Sequence, residues 1–372
     1  MFKNLIIYRI AEGWSAQPAQ LEAELAKARF EPCGATQQKS VGWIEPRGEK
    51  HGAMVEVIGG QWVLKLMSEQ RVVPGSVVKR RTEEIAEQIE QQTGRKPGKK
   101  QTKELKEQAL LELLPMAFTK QGSTWVWISP KARLLVLDCG SQGRADEVVT
   151  LLVKAMEGLS LSLIQTEMSP AVAMAHWLGT GEPPYQFSID RECELKSPDE
   201  MKSVVRYARH PLDTDEVKQH IQSGKVPTRV AMTWRDRVSM VLTESLQLKK
   251  LAFLDVVFEG EAAKSAGSKT DKAEAFDADV AISTGELVQM IPDLLEALGG
   301  ESLTMASAGT LKPASQTDAA SPASAAPAAP PTAPHPAADH AQPWCAAAAA
   351  PLDDRGRGAT PGHASGSRRT GV

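Results

Sequence analysis

Residues 94–101 read GRKPGKKQ, and this short basic run lies between two stretches that both predict amphipathic helices. The periodicity of residues 82–92 predicts the first helix, with Gly94 as its C-terminal stop. Thr102 is expected to cap the second helix. The apolar stripe of that second helix consists of Leu105, Ala109, Leu113 and Ala117. The sequence therefore predicts a helical hairpin with a positive tip, which suits contact with a polyanion.

Charge is segregated along the chain, although the formal net charge of its 372 residues is only −3. Residues 79–106 contain nine Lys or Arg against five Glu, whereas residues 255–301 contain eleven acidic residues against three Lys. Such asymmetry occurs in proteins with two differently charged solvated faces. It also orients a protein on a nucleic acid with the acidic side away. Attraction to a polyanion would therefore come from local segregation and not from bulk basicity.

Composition indicates a globular protein, since 42% of the residues are hydrophobic and 24% are charged. The cysteines are scattered without a CxxC pair or a His/Cys cluster, which argues against structural zinc and against a disulfide framework. The apolar run at the N-terminus is too short for a signal peptide. No apolar run approaches the roughly 20 residues that a membrane helix needs. We therefore expect a cytoplasmic protein that contacts no membrane.

The chain is predicted to divide into four parts. Residues 302–372 are rich in Ala, Pro, Ser and Gly and are expected to be disordered, because they have too few large apolar side chains to offset the entropy of ordering. This tail is either a solvated appendage or a tethered interaction segment. The other predicted parts are an N-terminal α+β part at 1–78, a basic helical hairpin or finger at 79–118, and an α+β body at 119–301.

Strand patterns in the chain pair locally, and helical patterns interrupt them irregularly. This arrangement favours an α+β fold with mixed or antiparallel sheets over a doubly wound α/β fold. The predicted strands are 5–10, 61–67, 124–128, 133–137, 229–232, 238–242, 252–258 and 278–282. The predicted helices outside the hairpin are 18–29, 147–156 and 285–298.

Two groups of basic residues are candidates for contact with DNA phosphates, which attract Lys and Arg without demanding a particular sequence. For both groups the alternative is an ordinary solvated surface. The first group lies in and around the predicted hairpin and consists of Lys79, Arg80, Arg81, Arg95, Lys96, Lys99 and Lys100. The second group lies in the second half of the chain and consists of Arg206, Arg209, Lys225 and Arg229.

Phe118 is the large apolar residue that follows the proline stop at Pro115. A residue in this position usually packs into the core of its own chain. The alternative is an exposed aromatic anchor that enters a pocket of a partner, as aromatic hot spots do.

Patterns typical of catalysis are sparse. Residues 140–143 lack the Lys-Ser/Thr ending of a phosphate-binding loop. Asp277 and Asp279 are predicted on one side of a strand with Glu286 beyond them, which leaves open a metal-dependent nuclease or phosphoesterase. A third alternative is a protein-only adaptor whose basic tip docks an acidic partner. We assign no catalytic residue, no metal site and no cofactor from the sequence.

An ordered set of short segments carries a family resemblance over about residues 1–301. The segments are Phe2–Leu5 with Tyr8–Arg9, Phe30–Gly34, Gly42–Trp43, Leu113–Pro115 with Ala117–Phe118, Trp127–Ile128, Val136–Cys139, Ile221 with Gly224–Val226, Phe276–Asp279, Thr284–Leu287 and Glu296–Gly300. Each segment alone is unspecific, but the set in this order resembles the bacterial recombination-associated protein RdgC family. The tail after residue 301 lies outside the resemblance.

The resemblance implies a non-enzymatic protein that binds DNA with little sequence preference. Family members form a ring-shaped homodimer whose positively charged hole admits duplex DNA, and they restrain the RecA recombinase by occupying its DNA. Binding to single-stranded DNA stays open, and the implied location is the nucleoid.

For individual residues, the resemblance implies a finger that closes one side of the ring. Phe118 matches the aromatic that inserts into the partner subunit at this gate, and Arg209 and Lys225 match basic positions that face the hole. Met116 and Ala208 depart from the family pattern, since an arginine and a lysine stand there in a relative.

Overall fold

A single antiparallel sheet of twelve strands organises the chain in the computed structural model, which describes residues 1–257 and 272–302. The strands are β1 (Leu5–Ile10), β2 (Lys39–Ile44), β3 (Glu56–Ile58), β4 (Gln61–Val72), β5 (Phe118–Ser129), β6 (Leu134–Asp138), β7 (Leu161–Leu163), β8 (Phe187–Lys196), β9 (Val204–Ala208), β10 (Val226–Trp234), β11 (Val238–Thr243) and β12 (Leu248–Phe253). Their order across the sheet is β2-β4-β5-β6-β1-β12-β11-β10-β8-β9, with β3 beside β4 and β7 beside β1.

Helices are interspersed among these strands, which confirms the α+β class, whereas one continuous sheet replaces the several sheets that the sequence predicted. The helices are α1 (Pro18–Lys27), α2 (Gly75–Thr93), α3 (Lys99–Leu113), α4 (Gln142–Ala155), α5 (Pro170–Thr180), α6 (Asp215–Gln222) and α7 (Lys272–Ala297). Among the described residues, every helix is too short or too polar to span a lipid bilayer.

The two faces of the sheet build two separate cores. On one face, Tyr8 and Val126 pack in a cluster with buried residues of α1 and α4. On the other face, Ile7, Trp127 and Met232 pack in a cluster with buried residues of α5 and α7. Because successive side chains of a strand point to opposite faces, the neighbours Ile7 and Tyr8 of β1 belong to different cores.

The helices α2 and α3 pack against each other through a third, smaller apolar cluster. Its buried members are Val78, Ile85, Leu105 and Ala109. The helix α2 begins at Gly75 and not near residue 82 as predicted, because burial of Val78 extends the contact with α3 toward the sheet. The basic run 79–81 therefore lies inside α2.

The end of α2 was predicted correctly, whereas the start of α3 was not. Gly94 has the left-handed φ of +70° that ends a helix, as the sequence indicated. The helix α3 begins at Lys99 after the extended residue Gly98. Thr102 does not cap it, because its hydroxyl lies within the first turn and donates to the carbonyl of Gly98 at 3.0 Å.

Two predicted strands near the C-terminus were wrong. Residues 278–282 lie inside α7, where Val280, Leu287 and Ile291 recur on one buried face. A run of only five residues does not distinguish alternation from helical periodicity, so only the longer window shows the helix. The strand predicted at 252–258 ends at Phe253 in β12, and Asp255–Val257 form a 3-10 turn. The predicted disordered tail lies outside the described residues from residue 303 onward.

Candidate nucleic-acid interface

The connection between α2 and α3 presents an exposed basic tip. Lys99 and Lys100 occupy the first turn of α3, which contains no acidic residue and has no side-chain cap. Arg95 forms no ion pair within the described residues, and Lys96 Nζ lies 3.9 Å from Glu90 Oε1. The N-terminus of a helix carries unpaired N–H groups and partial positive charge, so these lysines add to a field of the same sign. The tip is therefore suited to bind an anion such as a phosphate.

The basic run inside α2 is partly neutralised. Lys79 and Arg80 are 78% and 77% exposed and form long ion pairs, at 3.7 and 3.6 Å, with glutamates one turn further on. Arg81 instead bridges the two helices, with its Nη2 2.8 Å from Glu112 Oε2. The hydrogen bond to Glu112, and to a smaller extent the one to Glu84, raise the pKa of Arg81. Arg81 therefore holds α2 to α3, and Lys79 and Arg80 remain the more available cations.

In the second basic group, Arg206 and Arg229 flank Glu194 in one row across β9, β8 and β10. Arg206 Nε donates to Glu194 Oε2 at 2.6 Å. Burial acts to raise the pKa of Glu194, but hydrogen bonds from Arg206 and Thr228 and the charge of Arg229 hold it below its usual value. The next residues, such as Cys193 and its partner Val230, point into the core with α5 and α7. The row Arg206–Glu194–Arg229 therefore lies on the outward face of the sheet.

The remaining basic candidates lie at the ends of strands. Arg209 follows β9, is exposed, and has a left-handed φ of +57°. Lys225 precedes β10 after the Gly224 turn, and its Nζ lies 3.2 Å from Nδ1 of His220. These residues are neighbours of the outward row in sequence, so the structure gathers most of the second group at one end of the sheet.

The two basic groups are far apart within one chain. The helices α2 and α3 connect β4 and β5, whereas the second group lies on and around β8 to β10. β5 and β10 are five strand positions apart, which is about 24 Å of sheet width. One chain therefore carries two separate basic surfaces and not one continuous patch.

Phe118 is 89% exposed and Met116 is 75% exposed, so of the two alternatives for Phe118 the structure has the exposed side chain and not the core residue. The reason is its place at the far end of β5, beyond both cores of the sheet. Because a turn at residues 114–116 leads directly into that end, both large apolar side chains face solvent.

Arg71 of β4 holds this turn, although nothing in the sequence pattern distinguished it. Its Nη1 donates to the carbonyl oxygens of Leu114 and Ala117, both at 3.2 Å, and its Nε donates to that of Gly34 at 3.0 Å. The carbonyls at the end of a helix lack hydrogen-bond donors within the helix, and the guanidinium group of Arg71 donates to them instead. Arg71 thereby fixes the segment that displays Met116 and Phe118.

The carboxylates considered for a metal site are not assembled. Asp277 Oδ1 accepts from Arg47 Nη2 at 2.5 Å, and Glu286 is held by Arg237 through two hydrogen bonds. Asp277 and Asp279 are two residues apart on a helix, and such residues do not face each other. Over residues 1–257 and 272–302, no group of three His, Cys, Asp or Glu residues is placed to hold a metal ion. The described structure therefore does not bring Asp277, Asp279 and Glu286 together as the nuclease hypothesis expected.

Comparison with known proteins gives consistent matches over the described part of the chain. A family model described as "RdgC: Putative exonuclease, RdgC" matches residues 1–301. The chain is 46% identical over 303 residues to the recombination-associated protein RdgC of Dechloromonas aromatica, a match that covers 81% of this chain and 98% of that protein. The proteins of the same name from Herminiimonas arsenicoxydans and Bordetella pertussis are 45% and 43% identical over 300 residues, with the same coverage.

Proposed function

The chain belongs to the RdgC family, whose members here are named as recombination-associated proteins, and on that premise we propose that it binds DNA without sequence preference. Two copies form a ring-shaped homodimer that encloses duplex DNA at the nucleoid. By occupying the DNA, the ring restrains RecA-dependent recombination.

The observation that carries this proposal is the basic tip between α2 and α3. Arg95, Lys99 and Lys100 are exposed and have no ion-pair partner among the described residues. Phosphate contacts from Lys and Arg supply affinity without carrying sequence information, so such a tip gives sequence-independent binding. In this proposal residues 79–118 act as a finger that projects toward the DNA.

Two features of the single chain favour a ring made of two copies. Because the two basic surfaces are attached to strands that are five positions apart in the sheet, a symmetric dimer that repeats each of them would extend the positive lining. Phe118 and Met116 are large, apolar and exposed beside the finger, which suits a contact that closes the ring against the partner subunit.

The dependence of DNA affinity on salt tests the electrostatic basis. If about six phosphates are neutralised, the logarithm of the binding constant falls by about 5 for each decade of salt concentration. Fluorescence anisotropy on two unrelated duplexes of equal length measures both this slope and the sequence preference. We expect equal, steep slopes; a flat response, or strong preference for one duplex, would contradict the proposal.

The exonuclease in the family description is the second candidate function. We propose that the chain does not hydrolyse DNA, and the engagement of Asp277 and Glu286 by arginines supports this. Incubation with end-labelled DNA and Mg²⁺ tests it, with Asp279→Asn as the comparison. Cleavage that is lost in Asp279→Asn would favour the nuclease, whereas intact DNA supports binding alone.

A protein-only adaptor is distinguished by the same binding experiment. In that alternative the tip docks an acidic protein surface, and the chain fails to shift any DNA at low salt. A shift of both duplexes at low salt would exclude the adaptor as the sole function.

A further inference from the structure

A depression of about 290 Å³ lies on the outward face of the sheet at β8, β10, β11 and β12. Three basic residues, Arg191, Arg209 and Lys250, contribute to its lining. The small residues Ala231 and Ser239 line it as well. Of this set only Arg209 was singled out from the sequence, so the depression adds two basic residues to the second group.

The depression forms where regular strand pairing fails in β8. Val230 of β10 lies opposite Cys193, but Met232 lies opposite Ile189, so residues 190–192 of β8 face the single residue Ala231. Such bulges bend a strand and re-aim its side chains, and they are enriched beside functional sites. This bulge carries Arg191.

Two further irregularities border the same depression. The pairing of β11 with β12 shifts between Ser239 and Val241, and Lys250 within β12 has a φ of +53°. Arg209, just after β9, has a φ of +57°. Left-handed backbone is unfavourable for residues with a Cβ, and it clusters at functional sites where the surrounding structure enforces it. Two basic residues in this conformation therefore line one depression.

The charges around the depression favour an anion. Arg191 and Arg209 are exposed and form no ion pair in the described part of the chain. Two carboxylates, Asp190 and Glu192, also line the depression, so its three basic residues leave a formal net charge of about +1. Asp190 accepts a hydrogen bond from the hydroxyl of Thr233, at 2.9 Å from its Oδ2. Lys250 pairs with Glu192, but the side chains are 65% and 43% exposed, so an incoming anion can replace this weak surface pair.

The backbone also connects the basic residues of the depression. The N–H of His210 donates to the carbonyl of Arg191 at 3.1 Å, which fixes the end of β9 against the bulge of β8. Guanidinium groups match the geometry of phosphate oxygens and bind them with paired hydrogen bonds. Two arginines held at one small depression therefore suit a single phosphate group.

We propose that this depression binds one phosphate group of the DNA backbone through Arg191, Arg209 and Lys250, an inference that rests on the proposed function. The small side chains of Ala231 and Ser239 allow the phosphate to approach the sheet. The ligand is a phosphate and not a base edge, so the contact is independent of sequence.

The DNA arm of the test uses the full chain and the variant Arg191→Gln/Lys250→Gln, which leaves Arg209 in place. The salt slope of duplex binding is expected to become shallower by about 0.9 for each depression that engages DNA. The matched control is Lys27→Gln/Lys154→Gln, which removes the same charge from α1 and α4, helices that pack over the half of the sheet containing β2, β4 and β6, and its slope should not change. Equal slopes for the wild type and the first variant would overturn the inference while the proposed function stands.

The variant Glu192→Gln is expected to raise DNA affinity, a gain that a misfolded variant would not show. Removal of this carboxylate frees Lys250, so DNA affinity at fixed salt is expected to rise by about two- to fivefold, the range that an exposed ion pair is worth. Unchanged or weaker binding of both duplexes would contradict the role of Lys250.

A second arm tests the depression without DNA. Calorimetric titration of the full chain with inorganic phosphate at low salt is expected to show binding that Arg191→Gln/Lys250→Gln abolishes. Phosphate binding with an unchanged DNA slope would overturn the assignment to the DNA backbone and assign the depression to free phosphate. If the wild type binds no DNA at low salt, the proposed function fails, and this arm alone shows whether the depression takes phosphate.

Discussion

At the scale of single residues, Gly42 of β2 lies where another segment of the chain crosses the sheet at close range. The N–H of Trp43 donates to Ala28, and the N–H of Phe30 donates to Trp43, both at 2.9 Å. A Cβ added at Gly42 would lie 2.3 Å from the Cα of Phe30 and 2.4 Å from its nitrogen. Because the obstructing atoms are backbone, no side-chain rotation relieves the overlap.

We therefore expect Gly42→Ala to lower the free energy of unfolding by about 3 kcal/mol. For a folded part of about 300 residues that loss corresponds to a decrease in Tm of about 5 °C, measured by thermal denaturation. Gly143→Ala is the matched control, since nothing lies within 4 Å of a Cβ there and the position is helical. The control should keep or slightly raise the Tm, and equal effects of the two substitutions would argue against the close approach.

Phe118→Ser separates a binding role from a folding role. The side chain is 89% exposed, so the substitution should change the free energy of unfolding by no more than about 0.5 kcal/mol. In the proposed ring it removes an apolar contact at the gate, and dissociation from DNA should become faster, as measured by stopped-flow competition.

The control for Phe118→Ser is Tyr185→Ser, which removes an aromatic side chain that is 87% exposed elsewhere on the chain. It should leave both the Tm and the dissociation rate unchanged. Early melting of Phe118→Ser would mean that Phe118 packs within its own subunit, contrary to its exposure.

At the scale of elements, the α2–α3 pair depends on very few apolar contacts. Its cluster contains four buried residues, whereas each of the two main cores draws on many strands and helices. An element with so few buried contacts opens locally more easily than the sheet. Mobility of this element is compatible with a finger that must admit DNA.

Leu105→Ala is expected to destabilise this pair and to leave the sheet intact. Loss of a buried leucine from a small cluster costs about 2 kcal/mol or more, which accelerates hydrogen exchange in α2 and α3 about 30-fold. Leu111→Ala on the same helix is the control, since Leu111 is 56% exposed and its loss should change exchange little. Faster exchange across the whole sheet would show instead that α2 and α3 unfold together with the body.

At the scale of the whole molecule, the proposed ring predicts retention that depends on DNA topology. A closed ring leaves DNA only by sliding off an end or by opening its gate, so protein loaded at low salt should resist a salt challenge on circular DNA. Cutting the circle with a restriction enzyme should release it, and Phe118→Ser should abolish the difference. Filter retention before and after cutting measures this, and equal release from both forms would contradict encirclement.

The sequence alone predicted those elements whose patterns are local and strong. Strands such as β1 and β11, the end of α2 at Gly94, and the α+β class follow from apolar alternation and glycine conformation. The strands β8 and β9 were missed, because their outward faces carry Glu192, Glu194 and Arg206, which weaken the apolar signal.

The candidate site likewise has features that the sequence determined and features that only the tertiary structure decided. The sequence determined which basic residues exist and how charge is segregated along the chain, because composition and helical periodicity are properties of neighbouring residues. Only the tertiary structure decided that Arg81 forms an ion pair with Glu112 and that Phe118 is exposed. It also decided that Arg191 and Lys250 share a depression with Arg209. These outcomes depend on which distant strands pair and where their register shifts, and hydrogen bonding between residues remote in the chain leaves no local pattern to read.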